Sequence, residues 1–469
     1  KTGVGVTTIT GNMAATAGPV TVTQGRLNAP NSLASGTVTV KDDAALFTEA
    51  TLGNLVLGET TGGKLFIDPN SATAVTAATL TLNGDNSIEL TSTPPNTTIT
   101  AINYTTKAGT GTLSLANVAS FRSAPIVTDT GSQITIGFGA GKALTWTGDI
   151  DSFWDVNGVT NWDDSTATDD KFFNNDAVTF ADGPANTNIQ VFGLVSPASI
   201  NVTAATTAYT FTSTAGNQIV GSTGITKSGA GILTLVGDNL YEGVNALTAG
   251  ELVISSASSL GNGVVGNNIA LSGGARLTYN AATAMNLGSN RSIAVGTGGG
   301  SLAHSNATAA TITLPAPITG SGPLNFHSAL AGGGVFNVTG DMSGYTGDIS
   351  LTAAGAGTTT LSFASGSVPP ASGSITLAKP VASAVSSTNN LNLNGTTTLA
   401  SGVTVSMNAG LNGAAVLVRS SINSNGINAI NGPIKVTASD VSSINQINSN
   451  SGTLTLNGAI VEESSGSAV

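Results

Sequence analysis

The sequence predicts an all-β fold, an elongated parallel β-solenoid or β-helix built from degenerate repeats of roughly 20 residues. Three observations carry that expectation. Only 8% of the 469 residues are charged while 40% are apolar, so amphipathic helices would lack a charged outer face. The 60 glycines and abundant Thr, Ser and Asn favour turns and strands over helix interiors. A short pattern of glycine, any residue, apolar, any residue, apolar recurs along the chain, and alternation at period two is the mark of a half-buried strand.

The pattern runs through Gly36-Val38-Val40, Gly63-Leu65-Ile67, Gly111-Leu113-Leu115, Gly231-Leu233-Leu235, Gly250-Leu252-Ile254 and Gly452-Leu454-Leu456. Each leading glycine permits a turn that other residues resist. Further alternating runs, "SITLA" (374–378) and "VTVSM" (403–407), lie between turn residues. Gly231 and Gly250 are 19 residues apart, a length that suits one coil. A lone coil gains on the order of 10 to 20 kcal/mol from its apolar side chains and loses about 20 to 40 in ordering, so coils must stack to survive. The organisation expected is a solenoid segment over 1–145, a Trp/Asp-rich junction over 146–215, a solenoid carrying the clearest repeats over 216–365, and a further segment over 366–469.

Composition also excludes. Evenly spread Val, Ile and Leu argue against disorder. A net charge of −11 without a Lys/Arg cluster argues against nucleic acid as a partner. Absence of cysteine removes disulfides, thiolate metal sites and cysteine nucleophiles. No apolar stretch approaches the roughly 18 residues of a membrane span. The chain opens at Lys1 with neither Met nor a leader, and is read as a mature or trimmed product.

The clearest repeat is "TKSGAGILTLVGDNLYEG" (226–243). Lys227, Gly229, Gly231, Leu233, Leu235, Gly237, Asn239, Tyr241 and Gly243 stand at alternate positions, and "TAGELVIS" (248–255) follows. This run resembles the autotransporter-associated β-strand repeat of bacterial surface proteins. Val244 and Asn245 depart from the usual Gly and Thr. A weaker copy, "GDMSGYTGDISLTAAG" (340–355), a partial one, "TKAGTGTLSL" (106–115), and the upstream run from 144 to 183 extend the likeness. The resemblance implies a β-helical passenger, extracellular or at the bacterial cell surface, and implies no enzyme. The tail "GAIVEESSGSAV" (458–469) shows none of the amphipathic strands of an outer-membrane barrel.

Several constellations are candidates for chemistry. Trp146, Trp154 and Trp162 fall within one short stretch, and nine aspartates lie between Asp149 and Asp182. Indole faces there would stack on sugar rings, with a calcium ion held by the region Asp149–Asp182, or else the aromatics plug a junction and the aspartates cap turns. The structural alternative is favoured, and the calcium signal is weak because no Asp-x-Asp-x-Asp-Gly loop is present. Nothing selects two of the aspartates as a glycosidase pair. The two histidines, His304 and His327, accompany neither a nucleophile motif nor a second metal ligand. "GFGAGKALTW" (137–146) and "GTGGGSL" (296–302) read as tight turns before strands, since Ile136 stands where a phosphate loop needs glycine. Asn96 and Asn337 head glycan-acceptor triplets. No cofactor and no catalytic residue is expected.

The function expected is structural: a surface fibre, filament or matrix element. "GVGVTTIT" (3–10) and "GTLTLNGAI" (452–460) carry nothing to blunt an open strand edge, so copies are expected to join end to end. The alternative is a carbohydrate-binding adhesin, or less readily a polysaccharide-degrading β-helix, using the Trp/Asp-rich island. The partners expected are other copies of the chain and a polysaccharide or cell surface.

Overall fold

The computed structural model describes the chain except residues 12–17, 31–32, 34–35, 93, 95–96, 167–168, 330–331, 355–356, 379–386, 409–417, 438–442 and 464–469. The described residues form parallel sheets with only two short 3-10 turns, Val118–Ser120 and Ala257–Leu260. The architecture is the parallel β-solenoid that the alternating pattern predicts.

Alternation sets what faces inward. In Thr37–Val40 the valines are buried and the threonines half-exposed, and in Ile232–Val236 the same pattern buries Leu233 and Leu235. Because the strands stack parallel and in register, inward residues form columns. One column runs Leu233, Leu252, Leu277, Leu302, Phe326, Leu351, Leu377 and Met407. Full burial of such a side chain stabilises by about 1.5–3 kcal/mol, and each member covers the next.

The apolar interior falls into two clusters, one spanning Val22 to Phe138 and the other Leu144 to Ile434. The first is enclosed by a six-stranded and a seven-stranded sheet, and its coils begin short: Val20 pairs with Val38, Val38 with Leu55, and Leu55 with Leu80. This stack ends on an antiparallel hairpin, Ile126–Asp129 with Gln133–Gly137, whose second strand pairs with Ile99–Ala108. An antiparallel strand supplies hydrogen bonds to the sheet without continuing the coil, so it closes the edge.

The second cluster is enclosed by sheets of nine and thirteen strands, with a third face made by a three-stranded and then an eight-stranded sheet. Its coils vary. Leu233 to Leu252 is a step of 19 residues, Leu252 to Leu277 a step of 25, and Leu377 to Met407 a step of 30. The variation resides in the turns, while the strand register is kept. Toward residue 463 one long strand, Val418–Ile430, pairs with both Ser387–Gly395 and Thr398–Leu399, so a single strand covers two faces. Gly395, Gly426 and Gly452 stack in register at its bend, all with positive φ. Their left-handed backbone would strain any other residue.

Of the glycine-rich runs, "GFGAGK" leads into Ala143–Trp146 and "GTGGG" into Gly300–His304, as turns before strands. Asn337 is half-buried within Gly334–Val338, and Asn96 lies outside the described residues.

Candidate functional site

The Trp/Asp-rich island opens the second solenoid. Trp146 ends the strand Ala143–Trp146, and Trp162 pairs with it antiparallel, capping the nine-stranded sheet. Trp154 lies on Phe153–Trp154, at the start of the thirteen-stranded sheet. The three indoles meet edge to face, Trp146 with Trp162 at 5.0 Å and Trp154 with Trp162 at 5.6 Å between ring centroids. Phe172, Phe180 and Phe211 surround Trp154. The tryptophans are 0 to 2% exposed. No indole face is therefore open for a sugar to stack on, and the glycan-contact role expected of Trp146, Trp154 and Trp162 does not fit the structure. They form a plug: where a coil has no neighbour below it, bulky rings fill the end that leucine columns fill elsewhere.

Most of the aspartates are engaged one by one. Arg122, arriving from the end of the first stack, donates to Asp170 at 3.0 Å and to Asp176 at 2.6 Å, and to the carbonyl of Lys171 at 2.8 Å. Lys142 joins the same group, 2.7 Å from Asp170 and 2.5 Å from Asp164. Burial opposes the charge on Asp170, but Lys142 and Arg122 outweigh it and hold the carboxyl below its usual range. Asp151 accepts from Asn161 and from the Phe153 amide. The backbone amides of Ala205, Thr206 and Thr207 converge on Asp182 and hold it well below the usual carboxylate range. Among the described residues, no three His, Asp or Glu side chains converge in a way that would hold a metal ion, the Asp149–Asp182 region included.

In the run 226–243 the repeat residues act between coils. A Cβ on Gly229 would lie 2.0 Å from the Ala204 carbonyl oxygen, one on Gly231 2.4 Å from that of Thr207, and one on Gly237 2.0 Å from that of Ser213. A Cβ on Gly243 would meet the Gly224 amide at 2.5 Å. These glycines permit backbone to touch backbone across the coil corners. Asn239 bridges three segments, accepting from Ser213 and Ile219 and donating to the Ser259 carbonyl. Tyr241 donates to Asn245 at 2.7 Å, and Asn245 donates to the Leu260 carbonyl. Lys227 is buried with its ammonium turned onto the carbonyls of Gly229 and Ala249, and burial lowers its pKa.

Sequence reasoning missed the buried Arg291. It donates to the carbonyls of Asn267, Ala257, Leu287 and Gly261, stitching successive coils without a carboxylate. Its only sequence signal is a lone arginine in an uncharged stretch. His304 is buried beside Tyr279, with Nε2 3.2 Å from the Ala281 carbonyl oxygen. His327 faces outward, 2.8 Å from Thr352, and burial and Arg276 hold its pKa below the usual value.

Several sheet edges remain open among the described residues. Val6–Thr8 pairs on one side only, and Val6 is 65% exposed. Ser443–Leu456 pairs only with Val418–Ile430, and Ile460–Glu463 only with Ile434–Thr437. Along the face that carries Ser443–Leu456, asparagines form ladders. Asn448 donates to Asn423 at 2.8 Å and Asn423 to Asn392 at 2.9 Å, while Asn450 donates to Asn425 and Asn425 to Asn394.

The fold and these fittings define a parallel β-solenoid whose specialised side chains serve mainly to close coils onto one another. No protein-family model matches the chain, and no solved structure matches it. The chain is similar to the adhesin BmaC autotransporter of Brucella suis biovar 1 (strain 1330), 32% identical over 144 residues. That stretch is 31% of this chain and 4% of the adhesin, so the chain spans a small part of that relative's length. No helix among the described residues is long and apolar enough to cross a membrane.

Proposed function

We propose that this chain is an exposed passenger-type segment of a bacterial surface protein, a rigid adhesin-like β-solenoid that holds binding surface away from the cell. The observation that supports it is the parallel stacking within each solenoid combined with the stretch similar to an autotransporter adhesin. Thirteen strands at about 4.8 Å per layer make a stack of about 60 Å from the second solenoid alone. Stacked coils give length without a charged surface or a large globular core, which suits a molecule that must span distance. The reading assigns the chain no catalytic step and no resident cofactor.

The open edges support a second element, strand addition between copies to build a fibre or matrix. Unpaired N–H and C=O groups along Ser443–Leu456 offer a backbone template, and the amide ladders add side-chain bonds to any strand that continues them. Electron microscopy of the purified chain across a concentration series tests both elements. Rods that lengthen with concentration are expected. Compact globules would refute the solenoid reading, and rods of fixed length at every concentration would refute assembly.

A further inference from the structure

The first solenoid carries a cleft of about 360 Å³ where its regular stacking fails. The strand Ile99–Ala108 pairs parallel with Val75–Leu82 on one side and antiparallel with the hairpin on the other, and its register slips between Thr100 and Ile102. Bulges of this kind bend a strand away from its neighbours. Here the cleft lies between that bulge and the turn that follows Lys64–Ile67.

Its chemistry is one-sided. Glu49, Asp68, Asn103 and Gln133 stand on the walls among threonine and serine hydroxyls, over an apolar floor that includes Ile67 and Val75. Among the described residues, no lysine, arginine or histidine contributes to the lining. The polar groups are held in place: Asp68 accepts from the Asn70 amide at 3.0 Å and from Ser92 at 2.6 Å, and Gln133 donates to Asn103 at 2.8 Å. Glu49 accepts no side-chain hydrogen bond among the described residues, so its carboxylate is available to a ligand. The volume lies within the range of about 300–1,000 Å³ usual for small-ligand sites.

We propose that this cleft binds a neutral or amino-bearing sugar unit, with Glu49 and Asp68 accepting its hydroxyl or ammonium protons. A sugar ring offers many donors and a small apolar face, matching acceptor-rich walls and an apolar floor. Two carboxylates without a cation repel an anionic ligand, so acidic sugars are excluded by charge. The proposal deepens the adhesin reading by placing its contact in the first solenoid and away from the tryptophans. Binding is measured on the purified chain, so a chain that binds sugar yet never reaches a cell surface would refute the surface reading alone.

The experiment is calorimetry and saturation-transfer NMR of the full chain with glucose, galactose, mannose, N-acetylglucosamine, glucosamine, glucuronate and sialic acid, and separately with calcium chloride. Neutral or amino sugars are expected to bind. In Glu49→Gln and Asp68→Asn their affinity falls about tenfold or more, while circular dichroism stays that of the parent. Glucuronate and sialic acid are expected not to bind. Absence of binding by every neutral and amino sugar, binding untouched by both substitutions, a preference for the acidic sugars, or binding of calcium alone would each overturn the proposal.

Discussion

Replacing Trp154 by alanine tests the plug directly. The side chain is fully buried, with Trp162, Phe172, Phe180 and Phe211 at centroid distances of 5.6, 5.6, 5.4 and 6.0 Å. Removing a ring from such a cluster leaves a void its stiff neighbours cannot fill, and large aromatic-to-alanine changes cost about 3–5 kcal/mol. Trp154→Phe separates packing from polarity. The Trp154 indole N–H is buried without an acceptor among the described residues, and an unsatisfied buried donor costs about 1–3 kcal/mol. Phenylalanine loses part of the packing and removes that penalty, so its net effect is expected within about 1 kcal/mol of the parent. All three tryptophans lie in this island, so urea unfolding followed by intrinsic emission reports on it, through Trp146 and Trp162 in the variants. The reasoning is refuted if Trp154→Ala costs less than about 1 kcal/mol, since a ring that can be lost cheaply is not a plug. It is equally refuted if Trp154→Phe costs as much as Trp154→Ala.

Three further predictions concern charge and backbone. Lys107, 2.7 Å away, and the Tyr104 hydroxyl bring Asp129 down to about 2; that stability is present above the ordinary carboxylate value and lost as pH falls toward 2, so Asp129→Asn should flatten acid unfolding of the hairpin in pH-dependent hydrogen exchange. Lys227 has the opposite sign: its pKa is lowered by burial, so the unfolded chain holds more protons and stability should rise with pH up to the ordinary lysine value. Lys227→Met should remove that slope, and denaturant midpoints at a series of alkaline pH values check it. Gly229→Ala places a methyl group against the backbone of Ala204 and should cost about 1–3 kcal/mol. Gly137→Ala, whose new Cβ would sit 3.5 Å from Thr98 Oγ1, should stay within about 0.5 kcal/mol of the parent in the same unfolding assay.

The regular parts of this fold were legible because their physics is local. Gly231-Leu233-Leu235 and Gly250-Leu252-Ile254 read as strands by alternation alone, and their spacing correctly placed them in adjacent coils. Coil length was less legible. It is fixed by turns whose residues have no common pattern, so the step of 30 from Leu377 to Met407 left no mark comparable to the step of 19 from Leu233 to Leu252. The island was visible as composition, but its role was not. Whether an indole faces water or a phenylalanine depends on Trp162 folding back antiparallel on Trp146, a pairing that alternation does not encode. Arg122 was illegible for a related reason, because its carboxylate partners lie 48 and 54 residues further along the chain.

The places that escaped the sequence share a physical cause that also bears on function. Within the regular stack every outward side chain has a neighbour about 4.8 Å above and below it, so the surface is flat and its polar groups satisfy one another, as Asn392, Asn423 and Asn448 do. A flat, self-satisfied face binds a small ligand poorly because it encloses little of it. An interruption of the stack can supply both concavity and unspent hydrogen-bonding capacity at the surface. The slip between Thr100 and Ile102 leaves the carboxylate of Glu49 on the wall of a cleft, whereas the interruption at Trp146 and Trp162 is filled by rings and closed by Arg122. Both interruptions break the repeat, but at the second the indole faces are buried, whereas the first leaves an acceptor-rich cleft, which is why recognition in this chain is assigned to residues 48–133 rather than to its most conspicuous cluster.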